Sequence, residues 1–311
     1  MATLPAHLVA TPVLERLTGE GRGTVLGAGA TAAWVDLNGF VVAVTTREVP
    51  LLPNAIALAA GSGALAGATA GSGGAARLGP GRVTLGHLQI TWDPAAPPSW
   101  DPTVPIPTGV TRRAVGARGA AILRTLRAGT GAVDSHLNRV PRSARELVRE
   151  LARVGLVIAG DPEGAVGLTW LFRAVGEGDP EPAAAAVGAL LGRGPGLTPE
   201  GDDLLAAVAG TLAVLGPAVG PPDPPWEPLL AVLGPRPGRT TALSATLLAL
   251  ALDRRLPEPA GRLLDLGPAG ERAWPAALRR LERLGHGSGR AYAAGIAATA
   301  SLLAVGAPAR R

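Results

Sequence analysis

Two adjacent carboxylates, Asp202 and Asp203, follow a glycine- and proline-rich stretch in LLGRGPGLTPEGDDLL, residues 190–205. Glycines let backbone N–H groups approach an anion closely, whereas paired carboxylates repel one, so the combination needs a reason. One reason is a divalent cation lying between the aspartates and a bound phosphate or carboxylate, which cancels the repulsion. On that reading Gly194, Gly196 and Thr198 hold a small anionic substrate, while Asp202 and Asp203 hold Mg2+. The plain alternative is structural. First-turn carboxylates stabilise a helix by roughly 0.3–1 kcal/mol each, and glycines only permit a tight turn.

Two further stretches have the same character. In RPGRTTALSATLLALAL (236–252), Arg239 offers a bidentate grip on an oxyanion, with Thr240 and Thr241 beside it to complete an anion clamp, and either threonine can cap the helix that follows. In RLGHGSGRAYAAGIAATASLL (283–303), His286 and Ser288 lie among glycines before another helix. His286 could donate a proton or a hydrogen bond, which with Asp202 makes it the catalytic candidate; a surface histidine and a plain serine cap remain the simpler readings. Three helix N-termini, each with glycine and a hydroxyl, form a strong anion pocket if they converge. Other chemistries lack support. His7, His87 and His136 have no metal spacing, GHGSG has no strand before it, and GEGRGTVLGAG has no βαβ context.

The elements that must position these residues are legible in outline. Thr198 reads as an N-cap and Pro199 as the first helical residue, with a buried stripe at Leu205, Val208, Leu212 and Leu215. Asp202 falls on the open end of that stripe, and Asp203 lies about 100° round the axis. Further helices are expected over 182–192, 226–233, 240–252, 271–284 and 288–304, and Ser143 with Glu146 forms a capping box that opens another. The first third reads as strands. Asn38-Gly39 sits between two β-branched runs as a hairpin turn, and residues 81–92 alternate as one strand. Residues 60–81 read as a long loop with a poorly marked strand, and the proline-rich 92–107 as a crossing. Strands first and helices afterwards predict an α+β fold, with a β-rich region over 1–108 and a helical region over 109–311.

Composition narrows the classes. With 47% hydrophobic and 17% charged residues, the 311-residue chain is globular. It has no cysteine, and all 29 basic residues are arginine, which removes thiolate, disulfide, Schiff-base and P-loop-lysine chemistry. Ten arginines crowd residues 111–160 against Asp134, Glu146 and Glu150, as a solvated helical face or a docking surface for an acidic partner. Nucleic acid is not expected, because only 3% of residues are aromatic and no recognition motif is present. The first residues lack a signal-peptide pattern. Uncharged stretches at 204–222 and 291–309 are diluted by Ala, Gly and Pro, as in buried helices of a soluble protein. The expectation is therefore a cytoplasmic protein with no membrane contact.

Taken together and in order, GRGPGLTPEGDDLLA, RTTALSATLL and RLGHGSGRAYAAG resemble the bacterial family named after AllH, a subunit of the oxamate carbamoyltransferase of anaerobic allantoin degradation. LLPNAIAL (51–58) and the WDP segment are similar to that family too. Glu200, commonly serine there, and Gly287, commonly threonine, depart from its pattern. The resemblance implies transfer of a carbamoyl group between carbamoyl phosphate and a small acid such as oxamate, together with other subunits of a hetero-oligomeric enzyme. It brings no catalytic residues with it. A non-catalytic assembly subunit, whose glycine motifs serve helix packing, is the competing expectation.

Overall fold

The structure is a computed structural model that describes residues 1–68, 73–130, 143–220, 226–236, 238–285 and 287–305. The chain divides into two units: Met1–Thr103 with Arg255–Glu258, and Val104–Arg254 with Pro259–Arg311.

The first unit is β-rich, and its described residues contain nine strands. They are β1 (Ala2–Ala10), β2 (Gly21–Ala28), β3 (Ala32–Leu37), β4 (Phe40–Thr45), β5 (Ala55–Leu58), β6 (Ala75–Gly79), β7 (Arg82–Leu85), β8 (Leu88–Thr91) and β9 (Ser99–Trp100). A single helical turn, α1 (Thr11–Leu14), follows β1. The sheet runs β5-β4-β3-β2-β6-β7-β8-β1, and β1 also pairs with β5, so eight strands close into a barrel-like sheet. Closure leaves no long edge open to pairing with another chain. The β1–β8, β4–β5 and β1–β9 pairs are parallel, and the others are antiparallel.

Asn38 and Gly39 turn the β3–β4 hairpin with φ of 52° and 88°. Both central residues are thus left-handed, as a type I′ turn requires. The expected single strand over 81–92 is instead a second hairpin: Gly86 takes φ 57° and Leu85 pairs with Leu88. The buried positions change parity there, from Val83 and Leu85 to Leu88 and Ile90, which one continuous strand cannot do. In LLPNAIAL, Asn54 donates from Nδ2 to the Val41 carbonyl at 2.8 Å, holding the approach to β5 against β4.

The second unit is helical. It contains α2 (Arg112–Ala128), α3 (Ala144–Arg153), α4 (Val157–Gly160), α5 (Pro162–Glu177), α6 (Pro180–Leu190) and α7 (Glu200–Val219). Then come α8 (Trp226–Val232), α9 (Ala242–Leu252), α10 (Glu258–Leu264), α11 (Pro268–Leu281) and α12 (Ser288–Val305). The Ser143 hydroxyl caps α3 by accepting from the Glu146 N–H at 3.3 Å. Strands followed by helices make the fold α+β, as the sequence predicts.

The expected stripe on α7 is wider than a stripe, for every residue from Gly201 to Gly216 is buried. The helix is long and apolar enough by length and composition to cross a membrane, but 89% of its apolar window is buried inside the protein. α12 is buried in the same way from Ala291 to Leu303 and packs against α2, α5, α7 and α11. Such contact needs small residues. A Cβ on Gly295 would lie 2.7 Å from that of Ala207, and one on Gly116 2.5 Å from that of Ala304.

The arginine-rich stretch is partly structural. Arg118 is buried and donates to the carbonyls of Leu263 and Asp265 and to Glu271, while Arg127 is buried against Glu150. Asp134, His136, Arg139 and Arg142 lie outside the described residues.

Replacing Gly295 by Val forces two buried helices apart. It should cost about 1–3 kcal/mol, read as a lower urea midpoint at unchanged slope; an unaltered midpoint would show that the α7–α12 contact yields freely.

Candidate functional site

The chain between α6 and α7 is built from glycines that have no substitute. Gly192, Gly194 and Gly196 take φ of 77°, 118° and 96°, a region that L side chains rarely adopt. Gly192 also has the Arg239 carbonyl 2.4 Å from where its Cβ would be, and Gly201 has the Leu190 carbonyl at 2.1 Å. Around Gly196, by contrast, a Cβ would meet nothing within 4 Å, so that part of the loop faces open space. Arg193 fastens the loop from outside: it donates to the Ala189 carbonyl and pairs with Asp161 and Glu163 at the start of α5.

The helix begins one residue later than the sequence suggests. Pro199 is the N-cap and Glu200 the first helical residue, with the Asp202 and Asp203 N–H groups donating to the Pro199 carbonyl at 2.9 and 3.1 Å. Thr198 is thereby released from capping, and its hydroxyl lies 2.9 Å from that of Ser288 at the start of α12. Two of the three expected helix tips therefore meet. Residues 194–198, Glu200 and Asp203 line one side of a cavity of about 430 Å³, and Gly285, Gly287 and Ser288 line another. His286 lies outside the described residues.

The third tip serves the loop rather than the cavity. Thr241 caps α9 by accepting from the Ser244 N–H, and its hydroxyl donates to the Leu197 carbonyl at 2.6 Å. Arg239 reaches the Gly188 carbonyl at 3.0 Å, and Thr240 donates to Asp202. The expected clamp by Arg239, Thr240 and Thr241 is thus a brace behind the loop. None of the three is among the residues that line the cavity.

The aspartates have different surroundings although both are buried. Asp202 Oδ1 accepts from the Gly192 N–H at 2.7 Å, and Oδ2 accepts from the Thr240 hydroxyl. Burial raises its pKa, and the hydrogen bonds from Thr240, Gly192 and Ser244 pull it back. Asp203 lines the cavity, and its Oδ2 is shut from bulk water with no hydrogen-bond partner among the described residues. Burial pushes its carboxyl up to about 8, the charges of Asp202 and Glu200 add to this, and the hydroxyls of Ser288 and Thr198 oppose it. Asp203 is therefore mostly a neutral acid at pH 7. Tyr292, buried on the neighbouring helix, is raised by burial and by the charge of Asp203.

The aspartates do not present an open pair to Mg2+. Both oxygens of Asp202 already accept protein hydrogen bonds, from the Gly192 N–H and the Thr240 hydroxyl. Among the described residues no group of three or more His, Asp or Glu side chains is placed to hold a metal ion.

Two features were not foreseen from the sequence. Val157 and Ile158 of α4 complete the cavity wall, and Glu200 caps α4, accepting from their N–H groups at 3.2 and 2.7 Å. A glutamate 43 and 42 residues from the two N–H groups it caps leaves no local signature. Its one trace was that serine is commoner at that position in the family resembled.

Removing the Asp202 carboxylate strands two donors in a buried setting. Asp202→Ala should cost about 1–3 kcal/mol of stability, and Asp202→Asn less; equal midpoints for wild type and the alanine variant would exclude the clamp. For Asp203 the pKa is raised from 3.8 in the unfolded chain to about 8. The folded state thus holds the proton more tightly, and this contribution to stability is complete below pH 3.8. It declines as pH rises towards about 8 and is flat above. Relative to Asp203→Asn, the wild-type melting temperature should fall across that window; parallel curves would show an ordinary carboxylate.

Residues 190–300 match the family model for oxamate carbamoyltransferase subunit AllH. Comparison with curated proteins and with solved structures gave no match. The matched span holds the glycine loop, α7, α9 and the start of α12, and so both tips that meet at Thr198 and Ser288. Over these residues the chain is AllH-like.

Proposed function

We propose that the chain is a subunit of an oxamate-carbamoyltransferase-type enzyme, and that the cavity between the glycine loop and the start of α12 binds its small organic acid. One observation carries this reading. Segments ninety residues apart bring two hydroxyls, those of Thr198 and Ser288, to 2.9 Å at the wall of one cavity. The match of residues 190–300 supplies the class of reaction, and the word subunit in the family's description supports partner chains that complete the enzyme.

The loop provides the ligand's oxygen-binding side. Backbone around Gly196 faces open space, and its position before the N-terminus of a 20-residue helix favours negative charge there. A carboxylate of the acid is placed against residues 196–198, with the Thr198 and Ser288 hydroxyls beside it as donors. Preorganised donors of this kind also stabilise charge that develops during carbamoyl transfer. Asp202 holds the loop, and Arg193 and Thr241 hold it from outside; none of them touches the ligand. No step is assigned to a metal ion.

Oxamate should raise the melting temperature of the full chain, alone or with its partner subunits. The double variant Thr198→Val, Ser288→Ala should weaken oxamate binding about tenfold, as expected for losing hydrogen bonds to a charged group. Calorimetry reads both; oxamate binding that is untouched by the double variant would move the site elsewhere.

A further inference from the structure

The protein interior uses only part of the arginine-rich stretch. Arg118 and Arg127 are buried, and Arg153 pairs with Glu150. Arg145 and Arg149, one turn apart on α3, are exposed and have no ion pair among the described residues. Like charges four residues apart on a helix repel, and Arg145 stands in the first turn, where the helix end already carries partial positive charge. An acidic group from outside would relieve this arrangement.

Arg145 borders a groove of about 550 Å³, which shares no described residue with the cavity beside the glycine loop. Its walls are the start of α3, one face of α5 and the end of α12. The floor is apolar: Phe172 is buried, and Leu302 lies 3.7 Å from where a Cβ on Gly176 would be. The rim is apolar as well, for Trp170 is 40% exposed and Val305 60%. Apolar side chains gathered open at one groove suit contact with another apolar surface. A small polar ligand fits poorly, because the other polar groups are engaged. Thr169 donates to the Ala165 carbonyl, Ser143 caps α3, and Arg173 pairs with Glu177. In sequence the neighbouring chain is basic too. Arg139 and Arg142 precede Ser143, Arg310 and Arg311 follow Val305, and Asp134 is the one acid within 131–142 and 306–311.

We propose that this groove docks an acidic amphipathic helix of a partner chain, which lays apolar side chains against Trp170 and Val305 and sets a carboxylate against Arg145. The face of α5 from Thr169 to Glu177 runs for about two turns, the length over which a helix in a groove places its apolar anchors. The apolar floor and rim supply the area, and the unpaired cation at the edge selects the charge of the partner. Nothing in this depends on what the cavity beside the glycine loop binds.

Two labelled peptides probe the groove on the full chain. One is a short amphipathic helix with leucines on one face and glutamates on the other, and the second has lysines in place of the glutamates. Fluorescence anisotropy should show the glutamate peptide bound at least about tenfold more tightly, since only it answers Arg145. Arg145→Glu should weaken the glutamate peptide about tenfold and so remove the preference, and Trp170→Asp should weaken both peptides. Gly176→Leu fills the floor at ordinary contact distance and favours the helix, so it should block both peptides without lowering the melting temperature. Ile106→Asp, at an exposed position outside the groove, should change nothing. Equal binding of the two peptides, or binding untouched by Gly176→Leu, would overturn the proposal. So would an oligonucleotide that displaces the glutamate peptide, which would assign Arg145 to phosphates. Failure of both peptides to bind overturns it as well, and is the result expected if the chain's own flanking residues fill the groove.

Discussion

The Asp202 carboxylate is the joint on which the site depends. From the first turn of α7 it accepts the Gly192 N–H at the beginning of the glycine loop and the Thr240 hydroxyl just before α9. Three segments are fixed by one buried group. Together with the Gly201 N–H, which donates to the Arg193 carbonyl at 3.0 Å, it ties to α7 a loop whose positive φ at Gly192, Gly194 and Gly196 leaves it little conformational preference of its own. The brace from Thr241 to the Leu197 carbonyl and the ion pairs of Arg193 act on the same loop from other directions. Residues 196–198 are thus held at several points without having side chains of their own in the core.

Neighbouring aspartates could divide their roles only because a helix separates successive residues by about 100°. The turn that sends Asp202 towards the loop and α9 sends Asp203 towards α12 and the cavity. The packing of α12 then decides the chemistry of Asp203. Gly295 lets α12 approach α7 closely, and Gly289 allows the Leu281 carbonyl within 1.7 Å of where a Cβ would be. Close packing removes water from around the carboxyl, and this desolvation, more than any neighbouring charge, raises its pKa. A change in packing at Gly295 of α12, which lies against Ala207 and the Leu204 carbonyl, therefore bears on the acid in the first turn of α7.

Much of this was legible in residue types and spacing. The two tips were marked by Gly194, Gly196, Thr198 and Ser288, and they do meet; the hairpin at Asn38-Gly39 and the cap at Ser143 were equally plain. Misreadings came where a side chain served a distant partner. Arg239, Thr240 and Thr241 had the right types for an anion clamp, but the loop offered them carbonyls and a carboxylate at closer range. Helix periodicity placed the apolar face of α7 correctly and could not show that its other faces were buried too, since Ala and Gly suit either environment. Glu200 shows the same limit. It stood out only as a departure from the serine common in the family resembled, whereas its charge is absorbed by two N–H groups of α4.

The charge distribution at the cavity bears on how such a subunit could work with others. Its described wall supplies hydroxyls, backbone and a mostly neutral acid, and no guanidinium. A phosphorylated co-substrate carries more negative charge than a small acid, and stabilising it calls for cationic groups or a metal. On the proposed function the backbone beside Gly196 holds the acid, but it offers little to the phosphate that leaves as the carbamoyl group is transferred. The cavity is partly bounded by apolar residues, among them Val157, 75% exposed, and Leu197, 41% exposed. Exposed apolar residues of this size at the rim of a polar site suit coverage by another protein surface. On the proposed function the labour divides: this chain orients the acceptor acid, and a partner covering the rim supplies the groups that neutralise the phosphate.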